Sequence, residues 1–204
     1  SEVRRLARLL PGTETVRPGD ATWQRRLDAL AELLACFAVY RTYEPSTDPE
    51  LTDALDRARA RRPELADELG VIGEAARDVS GEFAVRLQQT SGSVMAKGVE
   101  DCAFYRFPGL ISLAEVGNKP SIGALSPDEF HLAFQRRLRT WPHSMTTLST
   151  HDTKRGEDVR ARIGVLAEVS DEWMTAVAGW TRRLDFPDPV LANLLFQTAD
   201  GAWP

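Results

Sequence analysis

Met145-Thr146-Thr147-Leu148-Ser149-Thr150-His151-Asp152-Thr153-Lys154-Arg155 is the stretch on which the fold turns. Its first six residues, rich in Thr and bounded by Pro142, read as a short β-strand. At the C-terminal end of that strand, Ser149–Arg155 gathers hydroxyls, an imidazole, a carboxylate and two cations. Successive side chains of an extended chain point to opposite faces, so His151 and Asp152 cannot both face a core. The C-terminal ends of barrel strands are where barrel enzymes place catalytic groups. A second reading stays open. The same cluster suits a helix N-terminus, with Thr150 or Asp152 as cap and the cations paired to Glu157 and Asp158.

Outward from this stretch the chain reads mainly as helix. Asp20 is a candidate N-cap, followed by the apolar stripe Trp23, Leu27, Leu30, Leu34 and Phe37. Phe37–Tyr43, β-branched and aromatic and closed by Pro45, is the other strand candidate. Asp48-Pro49-Glu50 starts a helix with proline at its first position, and Arg62-Pro63-Glu64 breaks that helix and begins another. The basic run Arg57–Arg62 has acids on both sides and reads as a solvated helix face. A helical stretch from near Ser80 reaches toward Val99, interrupted by Gly92 and Gly98. Ser126-Pro127-Asp128-Glu129 opens a further helix, whose stripe Phe130, Ala133, Phe134, Leu138 and Trp141 is expected to be buried. Helices near 157–168, 171–184 and 189–199 complete the chain. Two short strands so far apart make no sheet, because isolated strands leave backbone groups unpaired. Either their neighbours lie outside these residues or the segments are not strands.

A second polar cluster runs from Val94 to Arg106. Lys97 stands beside Gly98, Glu100 and Asp101 follow, and Tyr105 and Arg106 close it. Aromatic faces stack on sugar rings while Lys and Arg donate to hydroxyls, so a sugar site is one reading. An amphipathic helix end, with Phe104 in a core and Lys97 paired to Glu100 or Asp101, is the other. The net charge of −5 gives no basic excess for nucleic acid. No apolar run is long enough for a membrane span. Cys36 and Cys102 lack the spacing of a disulfide framework or a zinc site and are expected as free, buried thiols, in keeping with a reducing cytoplasm. No metal or cofactor is implied. The start at Ser1-Glu2-Val3, without an initiator Met, suggests a chain that begins inside a longer sequence or behind a removed tag.

Both clusters resemble signatures of the maltooligosyl trehalose synthases. Those enzymes carry a run close to MAKGVEDTAFYR, matched from Met95 to Arg106 except that Cys102 stands for Thr. They also carry STHDTKR followed by EDVRAR, matched from Ser149 to Arg155 and from Glu157 to Arg162. Weaker echoes follow in order at Val39–Tyr43, Ser112–Gly117, Trp141–Met145 and Gly201–Pro204.

The resemblance implies a retaining enzyme of the alpha-amylase-like glycoside hydrolase family 13, built on a (β/α)8 barrel interrupted by helical insertions. Such a barrel takes roughly 250 residues, so this chain would be mainly α, a helical insertion plus a partial barrel with at most two or three short strands. Residues 1–43 would end in the sixth barrel strand, 44–142 would be the insertion, and 143–204 would hold the seventh strand and its helices, in one compact unit. The implied reaction turns the reducing-end α-1,4 bond of a maltooligosaccharide into an α,α-1,1 bond. By the same resemblance Asp152 stabilises the transition state, and His151, Lys154 and Lys97 bind the sugar. Arg155, Glu100, Asp101, Tyr105 and Arg106 join them as candidate substrate-binding residues. The nucleophile, in a motif resembling GxRIDHxDG, and the Glu acid have no counterpart in these residues. The chain alone is therefore expected to be inert, and its implied partners are the maltooligosaccharide and the remainder of the barrel. The helical insertion is expected to help exclude water from the site. The alternative from a different class is a helical interaction module with no catalysis, which has no reason to gather His151, Asp152, Lys154 and Arg155 at a strand end.

Overall fold

The computed structural model describes residues 1–43, 49–121 and 123–203. The chain divides into two compact units, Ser1–Val99 and Glu100–Pro204, rather than the single unit expected. The boundary falls inside one helical element, and each unit has a hydrophobic cluster of its own.

The first unit is a bundle of α1 (Glu2–Ala7), α2 (Ala21–Cys36), α3 (Pro49–Arg61), α4 (Ala66–Arg77) and α5 (Glu82–Val94). Helix α2 packs on α1, α3, α4 and α5. Its stripe is buried as the three- and four-residue spacing requires: Trp23, Leu30, Leu33 and Leu34 face Leu51 and Leu55 of α3 and Leu69 and Ile72 of α4. Small residues let the axes approach. Gly73 of α4 leaves room for Leu55, whose Cδ1 would stand 3.0 Å from a Cβ placed there. On the rim, Arg25 of α2 grips Glu68 of α4 through two parallel bonds of 2.6 and 2.9 Å. That pairing holds the Glu68 carboxyl below its usual range.

Asp20 precedes α2 as its cap residue, but its carboxylate accepts the Arg17 N–H at 3.0 Å instead of a helix amide. Pro49 begins α3 as expected, while Asp48 lies outside the described residues. Beyond α5 the chain continues as a π-helix, Met95–Ala103, and a short 3-10 turn, Phe104–Arg106. The i→i+5 bonding of a π-helix is rare and gathers at functional sites.

The second unit joins α7 (Glu157–Val165), α8 (Ser170–Arg183) and α9 (Pro189–Ala202) to the segment 104–113. Ile111, Ile163 and Leu166 form its small core, with Val159, Trp173 and Leu194 packed against it. Gly201 lets α9 press onto α7, since a Cβ there would fall 2.8 Å from Ile163 Cδ1. Two buried amides on α9 grip the loop before the site. Asn193 donates to the Pro108 carbonyl at 3.0 Å. Gln197 accepts the Ile111 N–H at 2.8 Å and donates to the Gly109 carbonyl at 3.1 Å.

Three expectations are corrected. No strand forms among the described residues, neither at 37–43 nor at 145–150. A strand exists only against a neighbour, and none of the described residues offers one. The Tyr40 carbonyl takes the Ser91 hydroxyl at 2.8 Å instead of a ladder amide. The stripe on α6 (Pro127–Thr140) is exposed: α6 buries no residue, and Phe130, Phe134, Leu138 and Trp141 all face outward. Periodicity marks the face a helix can bury but does not supply the surface that covers it. Local chemistry still fixes the start of α6, where Ser126 and Glu129 form a reciprocal capping box. Cys36 is buried and its thiol is pushed up by burial, whereas Cys102 on the π-helix is exposed. No helix among the described residues is long and apolar enough to cross a membrane.

Candidate functional site

The polar loop 149–155 is built as a tight turn followed by an anchored exit. The Thr153 hydroxyl donates to the Thr150 carbonyl at 2.9 Å and accepts the Thr150 N–H at 3.2 Å. The Asp152 N–H reaches the Thr150 hydroxyl at 3.2 Å. These side chain–backbone bonds take the place of a ladder, as Thr commonly does in turns. The turn lifts His151 and Asp152 into solvent. Among the described residues the Asp152 carboxylate accepts no hydrogen bond.

Past the turn the chain is held firmly. Glu115, only 6% exposed, accepts the Lys154 N–H at 2.6 Å and its own neighbour's, Val116, at 2.9 Å through one oxygen. Its other oxygen accepts the Arg155 N–H at 3.0 Å. The Lys154 ammonium meets Asp101 of the π-helix at 2.6 Å. Asp101 above all, with Asp152 and Tyr105 farther off, pushes the Lys154 pKa up, so the cation stays charged. Ser149 donates to Glu157 and accepts the Glu157 N–H at 3.1 Å, tying the loop to the first turn of α7. That bond holds the Glu157 carboxyl below its usual range.

The structure thus brings Asp101, Lys154, Asp152 and Tyr105 into one electrostatic neighbourhood. Tyr105 and Arg106 are exposed, and the Arg155 side chain is half-buried. Lys97 is exposed and belongs to the first unit. Glu100 is 2% exposed and accepts the Gly117 N–H at 3.3 Å, so its carboxylate is enclosed against that loop. Against the helix-start alternative, Gly156 rather than Thr150 or Asp152 precedes α7 as its cap residue, and the Lys154 ammonium pairs with Asp101 rather than with Glu157 or Asp158. Glu115 escaped the sequence reading as a site residue. Its signal was a lone acid with Leu113, Ala114 and Val116 around it, in a loop closed by Gly117 at φ +75°. Among the described residues no cluster of three or more His, Cys, Asp or Glu can hold a metal ion.

No family model matches the chain. A solved mutant of maltooligosyltrehalose synthase from Arthrobacter ramosus superposes on all of the chain with a TM-score of 0.89 and 46% identity. Along its whole length the chain belongs with one segment of the maltooligosyl trehalose synthases. A Mycobacterium tuberculosis protein provisionally named maltooligosyl trehalose synthase is 44% identical over all 204 residues. A hypothetical maltooligosyl trehalose synthase of Sulfolobus tokodaii covers 87% of the chain at 32% identity, with a TM-score of 0.67. The chain spans 26% of the length of the curated relative and of the Arthrobacter synthase, and 24% of the Sulfolobus synthase. The helical architecture described above is therefore that of a part of a maltooligosyl trehalose synthase.

Proposed function

We propose that this chain is the part of a maltooligosyl trehalose synthase that contributes the transition-state-stabilising carboxylate, Asp152. The whole enzyme would be an isomerase of the alpha-amylase-like glycoside hydrolase family 13, acting on maltooligosaccharides in the cytoplasm. Residues 37–43 and 145–150 would become the sixth and seventh barrel strands once neighbouring strands pair with them. Residues 44–142 would be the helical insertion between them. The exposed stripe Phe130, Phe134, Leu138 and Trp141 supports a missing neighbour, since a contiguous apolar patch marks a surface that something covers.

The reaction divides the labour. A carboxylate nucleophile elsewhere in the enzyme takes the anomeric carbon, and a carboxylic acid, also elsewhere, protonates the departing glucose. Retention needs those two groups roughly 5–5.5 Å apart. The freed glucose then attacks the carboxylate-bound anomeric carbon through its own anomeric hydroxyl, whose proton passes to the acid's conjugate base as the bond to the nucleophile breaks and the α,α-1,1 bond closes. Asp152 would hold hydroxyls of the reacting sugar as positive charge grows on it. His151 beside it would contact the same sugar. Lys154 spends one donor on Asp101 and keeps others for the neighbouring sugar, since an ammonium has three. Arg155, Tyr105, Arg106 and Lys97 would complete the contacts, with Asp101 acting through Lys154.

The single observation carrying this reading is the exposed Asp152 carboxylate, without a hydrogen bond among the described residues, on an anchored loop in a chain matched end to end by synthases. Asp152→Asn in the full-length enzyme keeps the shape and removes the charge. Trehalose-end formation should fall about a hundred- to a thousandfold, while the melting temperature stays put. A rate within about threefold of wild type would sink the assignment.

A further inference from the structure

We infer that Glu115 is a positioning residue for Asp152; this deepens the function proposed above and rests on it. The Asp152 side chain has no hydrogen bond from the described residues, so its direction is set by the backbone beneath it. That backbone is tied at two levels. Thr150 and Thr153 close the turn. Glu115 then takes the N–H groups of the two successive residues Lys154 and Arg155 in its two oxygens.

A buried carboxylate is a costly way to satisfy amides that water would serve at a surface. It is also a firm one, since hydrogen bonds to an ionised acceptor are roughly twice as strong as neutral ones. Glu115 has about four lone-pair sites, and three backbone amides occupy three of them. Its own loop is fixed in turn. Glu100 holds Gly117, Asn118 donates its side-chain amide to the Leu113 carbonyl at 2.7 Å, and the Asn118 N–H returns to the Glu115 carbonyl at 2.9 Å. Two buried acids, Glu100 and Glu115, thus anchor one short loop, and that loop anchors the exit of the turn bearing Asp152. Asp101 clamps the Lys154 side chain independently.

The experiment uses the full-length enzyme. Glu115→Gln preserves volume but places an NH2 group against an amide N–H. The kcat for trehalose-end formation per folded molecule should drop about ten- to a hundredfold while KM for the maltooligosaccharide stays within about threefold, because misplacing Asp152 touches the transition state first. Hydrogen exchange in the peptide 149–156 should quicken while peptides of α2 to α4 keep wild-type rates. A kcat within about twofold of wild type, or exchange quickened throughout the protein, overturns the inference and leaves Glu115 a general support of the fold. Should E115Q fail to fold, Glu115→Asp keeps the charge and shortens the reach, and the same kcat-selective loss is expected or the inference is refused. Asp152→Asn run alongside separates the ideas. If D152N is fully active, the function proposed above falls and takes this inference with it. If D152N is crippled and E115Q is not, only the inference falls.

Discussion

Gln197→Leu tests how the second unit holds the loop that carries Glu115. The side chain is 2% exposed and bridges α9 to the backbone of Gly109 and Ile111. Leucine fills nearly the same volume, so the cavity contribution is small and the polar loss dominates. The Ile111 N–H, in a residue 1% exposed, is left without an acceptor. Stranding a buried donor costs about 1–3 kcal/mol. The Gly109 carbonyl lies nearer the surface and water recovers part of its loss. Together the substitution should cost about 2–3 kcal/mol, or about 4–12 °C in melting temperature for a chain of this length. Urea unfolding followed by tryptophan fluorescence reads the right region, because Trp141, Trp173, Trp180 and Trp203 lie in this unit and only Trp23 in the other. The midpoint should fall with little change in slope. A loss below about 0.5 kcal/mol would refute the view that these bonds hold the loop.

In the first unit, Arg25 depresses the Glu68 pKa, so the pair's contribution is present above the unfolded carboxyl's value and is lost as pH falls through the lower, folded one. The denaturation midpoint of Glu68→Gln should therefore converge with wild type in acid and lie below it near neutrality; a constant gap across that range would count against the pair. On α6, Phe134→Ser should change the stability of this chain by less than about 0.5 kcal/mol, as for a surface site, where a buried phenylalanine would cost about 3–5 kcal/mol on truncation. A loss of the larger size, measured by thermal melting, would mean that the stripe is covered.

Much of the helical architecture was legible in the residues. The α2 stripe and the proline starts of α3 and α6 are local signals, and local physics honours them. The strands and the α6 stripe misled for one shared reason. Their patterns at 37–43, 145–150 and 130–141 mark what a segment could pair with or bury, and a one-dimensional pattern does not say whether a partner lies within the same residues. The site was half legible. The exposed pair His151 and Asp152 and the ammonium of Lys154 stood out as a polar run. Glu115, held to that run only through backbone amides 39 and 40 residues away, left no periodic trace. Glu100 carried the signature of a sugar ligand but is enclosed, because the π-helix register turns it inward while Asp101 beside it reaches Lys154.

The central claim is that Asp152 serves chemistry whose nucleophile and acid lie outside these residues. Incubating the purified chain with a maltooligosaccharide and assaying for α,α-1,1-linked ends, beside the full-length enzyme under identical conditions, tests it directly. The account predicts product from the full-length enzyme and none from the chain; trehalose ends formed by the 204 residues alone would contradict it.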